Sequence, residues 1–205
     1  ELTAAALGNV GYRQMIEGHV AARTEEITES AREHAKELHR RDQVEAELHR
    51  ISVTDVMTGM LNRRGFFLNA ERSFKVARRQ EIPSALIYAD LDELKTVNAE
   101  LGHDAGDRLI QDAGRILQAS FRDSDIVARF GGDEFAAFTI DAEQPEVILA
   151  RIHSNIESFR QRESPPYKIS LCIGVVQCIP SSDLTLSDNL SLADKQMYEK
   201  KKERS

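Results

Sequence analysis

The pattern of apolar and polar residues changes near residue 52. Residues 19–58 contain neither glycine nor proline and consist largely of good helix formers, but their sparse apolar positions follow a helical stripe only with breaks. His34 and Arg41 stand where a heptad repeat needs apolar residues. We therefore predict for residues 1–51 a long signalling helix that forms a weak two-stranded coiled coil. The alternative is a solvated linker helix that dimerises only through the neighbouring parts of the protein.

Residues 52–205 predict a domain that contains both helices and strands. Short apolar runs rich in strand formers alternate there with helix-like segments. The predicted strands are 84–89, 126–130, 135–140 and 168–177, and the predicted helices are 65–80, 104–120, 146–161 and 187–202. This β-α-β-β-α-β order with a final helix indicates an α+β fold of the ferredoxin-like or palm-like type, with an antiparallel sheet and helices on one face.

Composition narrows the functional classes. The chain has 205 residues and a net charge of −7, which argues against a sequence-independent grip on nucleic acid. No apolar run approaches the roughly 18 residues that a membrane span needs. Cys172 and Cys178 are expected to be buried thiols in a reducing compartment. Because the chain begins at Glu1 and shows no signal-peptide pattern, we expect it to be a fragment of a longer protein. We expect a cytoplasmic location, and sequence upstream could hold a membrane anchor.

The first candidate site is a glycine pair followed by two acids. Gly131 and Gly132 separate two predicted strands, which is the pattern of a tight hairpin. Asp133 and Glu134 come next, and since neighbouring side chains of a strand point to opposite faces, two roles are expected. The glycines would let a ligand approach the backbone closely. Taken alone, the pattern is also ordinary turn chemistry.

The second candidate site is an acid at the end of an apolar strand. Asp90 follows the run 84–89, where a carboxylate is costly unless it is paired or bound to a cation. If the strands of Asp90 and Asp133 are neighbours, the two acids converge and repel each other unless a divalent cation neutralises them. Mg²⁺ is the expected ion, because it binds through a few carboxylates plus substrate phosphates. The structural alternative is helix capping by Asp92.

With these motifs in place, residues 52–202 resemble the GGDEF domain of the diguanylate cyclase family. The signature is RFGGDEF at 129–135, and further blocks similar to the family's stand in its order and at its spacing, at 54–64, 90–98, 102–107 and 194–201. The chain departs from the family pattern after Lys201. The usual Gly-Arg pair is missing there, so that the expected arginine falls at Ser205 or is replaced by Arg204.

The resemblance implies a bacterial nucleotidyltransferase that condenses two GTP molecules to cyclic di-GMP and releases two pyrophosphates. It implies that Asp90, Asp133 and the Leu91 carbonyl hold Mg²⁺, with Mn²⁺ as the alternative ion. The resemblance implies that Asp133, Glu134 and Lys95 are catalytic residues, with Glu134 as a metal ligand or a proton acceptor. The residues implied for substrate binding are Lys95 and Lys201 for the phosphates, Asn98 and Asp107 for guanine, and Gly132.

The resemblance also implies regulation. Arg122 and Asp125 form an RxxD motif at the family's distance before Gly131, which implies product inhibition by cyclic di-GMP. Since one domain holds one GTP, the family works as a homodimer. The alternatives are a catalytically silent domain that acts as a cyclic di-GMP receptor or protein-interaction module, and a different nucleotidyltransferase on the same scaffold. No partner among nucleic acids and no membrane contact within this chain are expected.

Overall fold

The computed structural model describes residues 15, 23, 25, 28, 29, 31–45, 47, 50, 52–140, 142 and 144–204. This part of the chain divides into two units, one that ends at His49 and one that begins at Arg50. Each unit is described below by itself.

The N-terminal unit is helical over residues 31–45, as the sequence predicts. Leu38 and Val44, two of the apolar positions, are 48% and 50% exposed on the single chain. Ion pairs one turn apart, such as Glu37 with Arg40 at 2.9 Å, lie on the surface and add little stability. Val20, Ile27, Leu48 and Ile51, four other apolar positions of the predicted helix, lie outside the described residues, so the coiled coil stays a prediction.

The second unit is built around one antiparallel sheet. Its elements are α1 (Arg63–Arg79), β1 (Ser84–Leu91), α2 (Leu94–Leu101), α3 (His103–Ser120), β2 (Ile126–Gly131), β3 (Glu134–Ile140), α4 (Pro145–Glu163), β4 (Leu171–Cys178) and α5 (Leu186–Arg204). The strand order is β2-β3-β1-β4, and every neighbouring pair is antiparallel. The predicted α+β fold is confirmed, and β1 is the central strand between β3 and β4.

Helices flank the sheet, but on both faces rather than the one face expected. One face of β1, with Ile87, packs in a core cluster with α3 and α4. The other face, with Leu86, packs with Phe66 of α1 and Met197 of α5. The reason is visible in β1, where all eight residues are buried. A continuous apolar run without alternation is typical of a strand covered on both sides.

The chain around Asp90 also differs from the sequence prediction. Asp90 is the seventh of eight residues of β1 rather than the residue after the strand. A short helix, α2, follows, and its N-cap position is occupied by Glu93 with φ of 62° and without a side-chain capping bond. Asp92 instead accepts a hydrogen bond from the Ser170 hydroxyl at 2.7 Å. Helix capping by Asp92 is therefore wrong.

Close packing of α5 on β4 fixes the end of α5 over the sheet. A Cβ at Gly174 would stand 1.9 Å from the carbonyl oxygen of Ala193, so that only glycine allows this approach. The contact sets the height at which Lys201, two turns further along α5, passes over β1.

The cysteines agree with the expectation from composition. Cys172 and Cys178 are both buried, and neither is part of a disulfide. Burial raises the pKa of Cys178 to about 11. Among the residues described, no helix combines the length and the apolar character that crossing a bilayer requires.

Candidate active site

Asp90 lies at the centre of the candidate site. Its register partners are Glu134 on β3 and Cys172 on β4, and paired residues of an antiparallel sheet project to the same face. Asp90 is 8% exposed. Asp133 is held beside it, because the Leu91 N–H donates to the Asp133 carbonyl oxygen at 2.8 Å. The sheet thus brings together the residues predicted to bind the metal, Asp90, Leu91 and Asp133.

The charge balance at Asp90 depends on one lysine. Burial raises the pKa of Asp90, and the charge of Asp133 raises it further, whereas a hydrogen bond from Lys201 lowers it. Lys201 Nζ donates this bond to Asp90 Oδ1 from α5. The bond raises the pKa of Lys201 above its ordinary value. The positive charge of Lys201 therefore offsets the repulsion between the carboxylates of Asp90 and Asp133.

This donor set fits a magnesium ion. Within the described part of the chain, no three His, Cys, Asp or Glu side chains are arranged to hold a metal. A structural zinc site, which needs four protein ligands, is therefore not formed there. Mg²⁺ commonly binds through one or two carboxylates and completes its shell with water and phosphate oxygens. Asp90 and Asp133 meet that requirement, and their mutual repulsion is what a divalent cation relieves.

The turn that carries Asp133 requires both glycines. Gly131 has φ of 137° and Gly132 has φ of 54°, conformations that side chains disfavour. The turn is anchored by Arg129, whose Nη2 and Nε donate to the Gly132 carbonyl oxygen at 2.8 and 3.1 Å. The backbone next to Asp133 is therefore fixed from inside the domain.

Arg129 in turn is held by Asp55. Arg129 Nη1 lies 3.1 Å from both carboxylate oxygens of Asp55, and its side chain is 7% exposed. Although burial acts to raise it, hydrogen bonds from Thr58 and Arg129 keep the pKa of Asp55 below its ordinary value. Sequence analysis included Asp55 and Arg129 in motifs but gave neither a role. In the sequence, the one indication of this contact is the position of Arg129 two residues before the glycine pair.

The residues predicted to read guanine lie together. A Cβ at Gly106 would stand 2.0 Å from Asn98 Oδ1, so this glycine lets the Asn98 carboxamide of α2 lie against α3 next to Asp107. Asn98 is half-buried, and Asp107 is exposed. Lys95 is exposed on the first turn of α2. Among the described residues, none forms a hydrogen bond or ion pair with the Lys95 side chain.

Arg122 and Asp125 lie apart from these residues, in a cavity of about 310 Å³. Asp125 accepts hydrogen bonds from the Arg122 N–H and the Thr139 hydroxyl, both at 2.8 Å. Arg151 of α4 also lines the cavity, and its Nε is buried without a hydrogen-bond partner among the described residues. Sequence analysis missed Arg151, which a helical pattern cannot distinguish from any surface arginine.

The fold and the site together define a class: palm-like α+β domains with an acidic site on the central strands. Residues 52–205 match the family model described as diguanylate cyclase, GGDEF domain. The chain belongs to this family, as its motifs indicated. The arginine of the missing Gly-Arg pair was expected to fall at Ser205 or to be replaced by Arg204. The Arg204 side chain and Ser205 lie outside the residues that the structure describes.

Comparison with known proteins gives the same assignment. The chain is 33% identical over 154 residues to the probable diguanylate cyclase DgcC of Escherichia coli K12, covering 74% of this chain and 41% of that protein. The chain therefore spans about two fifths of this relative's length.

Solved structures share the fold. The coiled coil and GGDEF domain of DgcB from Caulobacter crescentus, in complex with c-di-GMP, superposes with a TM-score of 0.70 at 21% identity, covering 82% of this chain and 91% of that one. A microbial GGDEF domain described with a novel mode of interaction with cyclic di-GMP has a TM-score of 0.65 at 27% identity, covering 76% of this chain and 94% of that one.

The anchoring of the turn can be tested at Asp55. Asp55→Asn leaves the buried Arg129 guanidinium without its anion, so we expect the free energy of unfolding to fall by about 2 kcal/mol in urea denaturation. Asp183→Asn, which changes an exposed aspartate, is the matched control and should stay within about 0.5 kcal/mol of the unmodified protein. Equal stability of the two variants would contradict the role given to Asp55.

Proposed function

We propose that this chain is a diguanylate cyclase domain that condenses two GTP molecules into cyclic di-GMP. The observation that supports this most directly is the meeting of Asp90, Asp133 and Lys201 at one point of the sheet. Two acids suited to a divalent cation and a lysine suited to phosphate are the groups that a nucleoside triphosphate needs. Family membership supports the same substrate.

In the proposed reaction, each 3′-hydroxyl oxygen forms a bond to the α-phosphorus of the other GTP. The bond to pyrophosphate breaks, and the hydroxyl proton leaves to a base. Asp90, Asp133 and the Leu91 carbonyl would hold Mg²⁺ or Mn²⁺, and the bound ion supplies neutralisation of phosphate charge and a lower pKa of the attacking hydroxyl. Glu134, the register partner of Asp90 on β3, would act as a ligand or accept the proton.

The lysines and the guanine-reading pair complete the substrate site. With a cation between the two acids, Lys201 would exchange Asp90 for a phosphate oxygen. Lys95 is available as a second positive charge. Asp107 can accept hydrogen bonds from the N1 and N2 donors of guanine, while Asn98 can serve its acceptors. Adenine presents the opposite pattern, so this pair favours GTP over ATP.

The activity is tested by product identification. Incubation with GTP and Mg²⁺ should yield cyclic di-GMP, identified by mass, and ATP alone should yield no cyclic dinucleotide. Asp90→Asn should lower the rate by at least about 100-fold, because it removes a charged ligand from the site. Binding of cyclic di-GMP without turnover of GTP would favour the silent receptor, and a mixed or adenine product would favour a different nucleotidyltransferase.

The homodimer is part of the proposal. A domain that holds one GTP needs a second domain opposite it, and the N-terminal helix, with its exposed Leu38 and Val44, is suited to hold two chains together. The helix would thereby control how often two half-sites meet.

Deletion of residues 1–50 tests this coupling. The truncated domain should have a lower activity per protomer when dilute and recover it when concentrated, because its half-sites then meet by diffusion. The full chain, measured over the same concentrations, is the control. A constant activity per protomer in the truncated domain would show that the helix does not govern assembly.

The proposal also includes product inhibition, through binding of cyclic di-GMP in the cavity of Arg122 and Asp125, the RxxD cavity. Arginine side chains suit phosphates and the acceptor edge of guanine, and aspartate suits its donor edge. The cavity offers both, through Arg122, Asp125 and Arg151. Its position apart from Asp90 allows the product to bind while the substrate site is filled.

Arg122→Ala should raise the cyclic di-GMP concentration that halves the activity by about tenfold or more, because a charge-assisted contact to phosphate is lost. The measurement is the initial rate at fixed GTP with increasing product. Arg160→Ala, on the exposed surface of α4, is the control. An inhibition curve that does not move would reject the assignment.

A further inference from the structure

Ser170, the residue before β4, makes two contacts with the turn that follows β1. Leu91 pairs with Leu171 at the last register position of the two strands. One residue further along, the Asp92 N–H donates to the Ser170 carbonyl oxygen at 2.9 Å, and the Ser170 hydroxyl donates to Asp92 Oδ2 at 2.7 Å. Ser170 therefore holds both the main chain and the side chain of Asp92.

These contacts set the direction of the Leu91 carbonyl. The Leu91 C=O and the Asp92 N–H belong to one planar trans peptide group, so they point in opposite directions. Since the N–H points toward Ser170, the carbonyl points away from β4, to the side of Asp133. The Leu91 N–H lies on that same side, because it donates to the Asp133 carbonyl oxygen at 2.8 Å. The Leu91 oxygen is thus aimed at the region where Asp90 and Asp133 are proposed to hold the metal.

The side-chain contact matters because the backbone turns sharply directly after Asp92. Glu93 has φ of 62°, a left-handed conformation that is uncommon outside glycine, and it occupies the N-cap of α2 without a side-chain capping bond. Such a conformation persists where the surrounding contacts hold it. By binding the Asp92 carboxylate, the Ser170 hydroxyl supplies a contact of this kind on the β4 side of the turn.

We propose that Ser170 is a positioning residue for the metal site, where it orients the Leu91 carbonyl by holding Asp92 through its hydroxyl group. A carbonyl that is already held in one direction loses less conformational entropy when it binds a cation. Removing a contact behind a metal ligand commonly weakens metal binding by about 10- to 100-fold. This inference rests on the metal site of the proposed cyclase activity.

Binding of Mn²⁺ in the absence of nucleotide tests the inference, measured from the electron paramagnetic resonance signal of the free ion. Ser170→Ala should raise the Kd for Mn²⁺ by about tenfold, because the Leu91 carbonyl is no longer held in one direction. Ser170→Thr keeps the hydroxyl group and should stay within about twofold of the unmodified protein. Asp90→Asn should abolish this binding, which distinguishes the proposed site from the other acids of the chain.

Tyr167→Phe is the matched control. The Tyr167 hydroxyl donates to the Asp112 carboxylate at 2.8 Å, three residues before Ser170 in the same segment that leads into β4. This variant also removes one hydroxyl from one carboxylate, but within the core on the α3 and α4 side of the sheet. It should lower the Tm and leave the Kd for Mn²⁺ within about twofold of the unmodified protein.

A double-mutant cycle in urea unfolding, without metal, tests the contact itself. Ser170→Ala and Asp92→Ala, singly and together, should show a coupling of about threefold or more in the unfolding equilibrium constant. A coupling near one would overturn the role of Ser170. The same holds for an unchanged Kd in Ser170→Ala, or for a loss of Mn²⁺ affinity in Ser170→Thr or Tyr167→Phe as large as that in Ser170→Ala.

Two further outcomes separate this inference from the proposed function. Mn²⁺ binding that Asp90→Asn leaves intact would overturn the proposed metal site, and the role of Ser170 with it. Mn²⁺ binding that depends on Asp90 and Ser170, in a protein that forms no cyclic di-GMP from GTP, would overturn the cyclase activity and support the role of Ser170.

Discussion

The burial of Asp90 against the positive charge of Lys201 is the interaction on which the rest of the site depends. A carboxylate on the central strand is tolerated because α5 delivers an ammonium group to it. Asp133 makes this balance incomplete, since a second negative charge acts on the same oxygen atoms. A cation bound between the two carboxylates would therefore lower their electrostatic repulsion. The close approach of α5 to β4 at Gly174 holds Lys201 next to Asp90.

The signature hairpin, residues 129–135, owes its shape to contacts outside itself. Its glycines permit the turn, but Arg129 selects one conformation by binding the Gly132 carbonyl, and Asp55 fixes Arg129 in turn. A turn with two glycines loses much conformational entropy when it is ordered. An anchor made of charge-assisted hydrogen bonds offsets this loss, which explains why a loop far upstream belongs to the working domain.

The two proposed ligand sites lie at opposite ends of β3. Glu134 begins the strand beside Asp90, whereas Thr139 near its other end supports Asp125 in the RxxD cavity. At about 3.4 Å per residue, these positions are roughly 17 Å apart. Pairing with Ala85 places Thr139 on the α3 and α4 face, and pairing with Asp90 places Glu134 on the α1 and α5 face. The two proposed sites therefore do not overlap, and one strand connects them.

The sequence by itself predicted the order of the four strands and of the helices of the second unit except α2, together with the glycine turn and the family, because periodicity and turn chemistry are local properties of the chain. It also named Asp90, Asp133 and Lys201 as candidates. The tertiary structure decided which of these groups meet: Glu134 rather than Asp133 is the register partner of Asp90, and both faces of the sheet are covered. The decisive contacts join residues 74 and 111 positions apart, Arg129 with Asp55 and Lys201 with Asp90. Such pairings follow from strand register and helix packing, which no local pattern encodes.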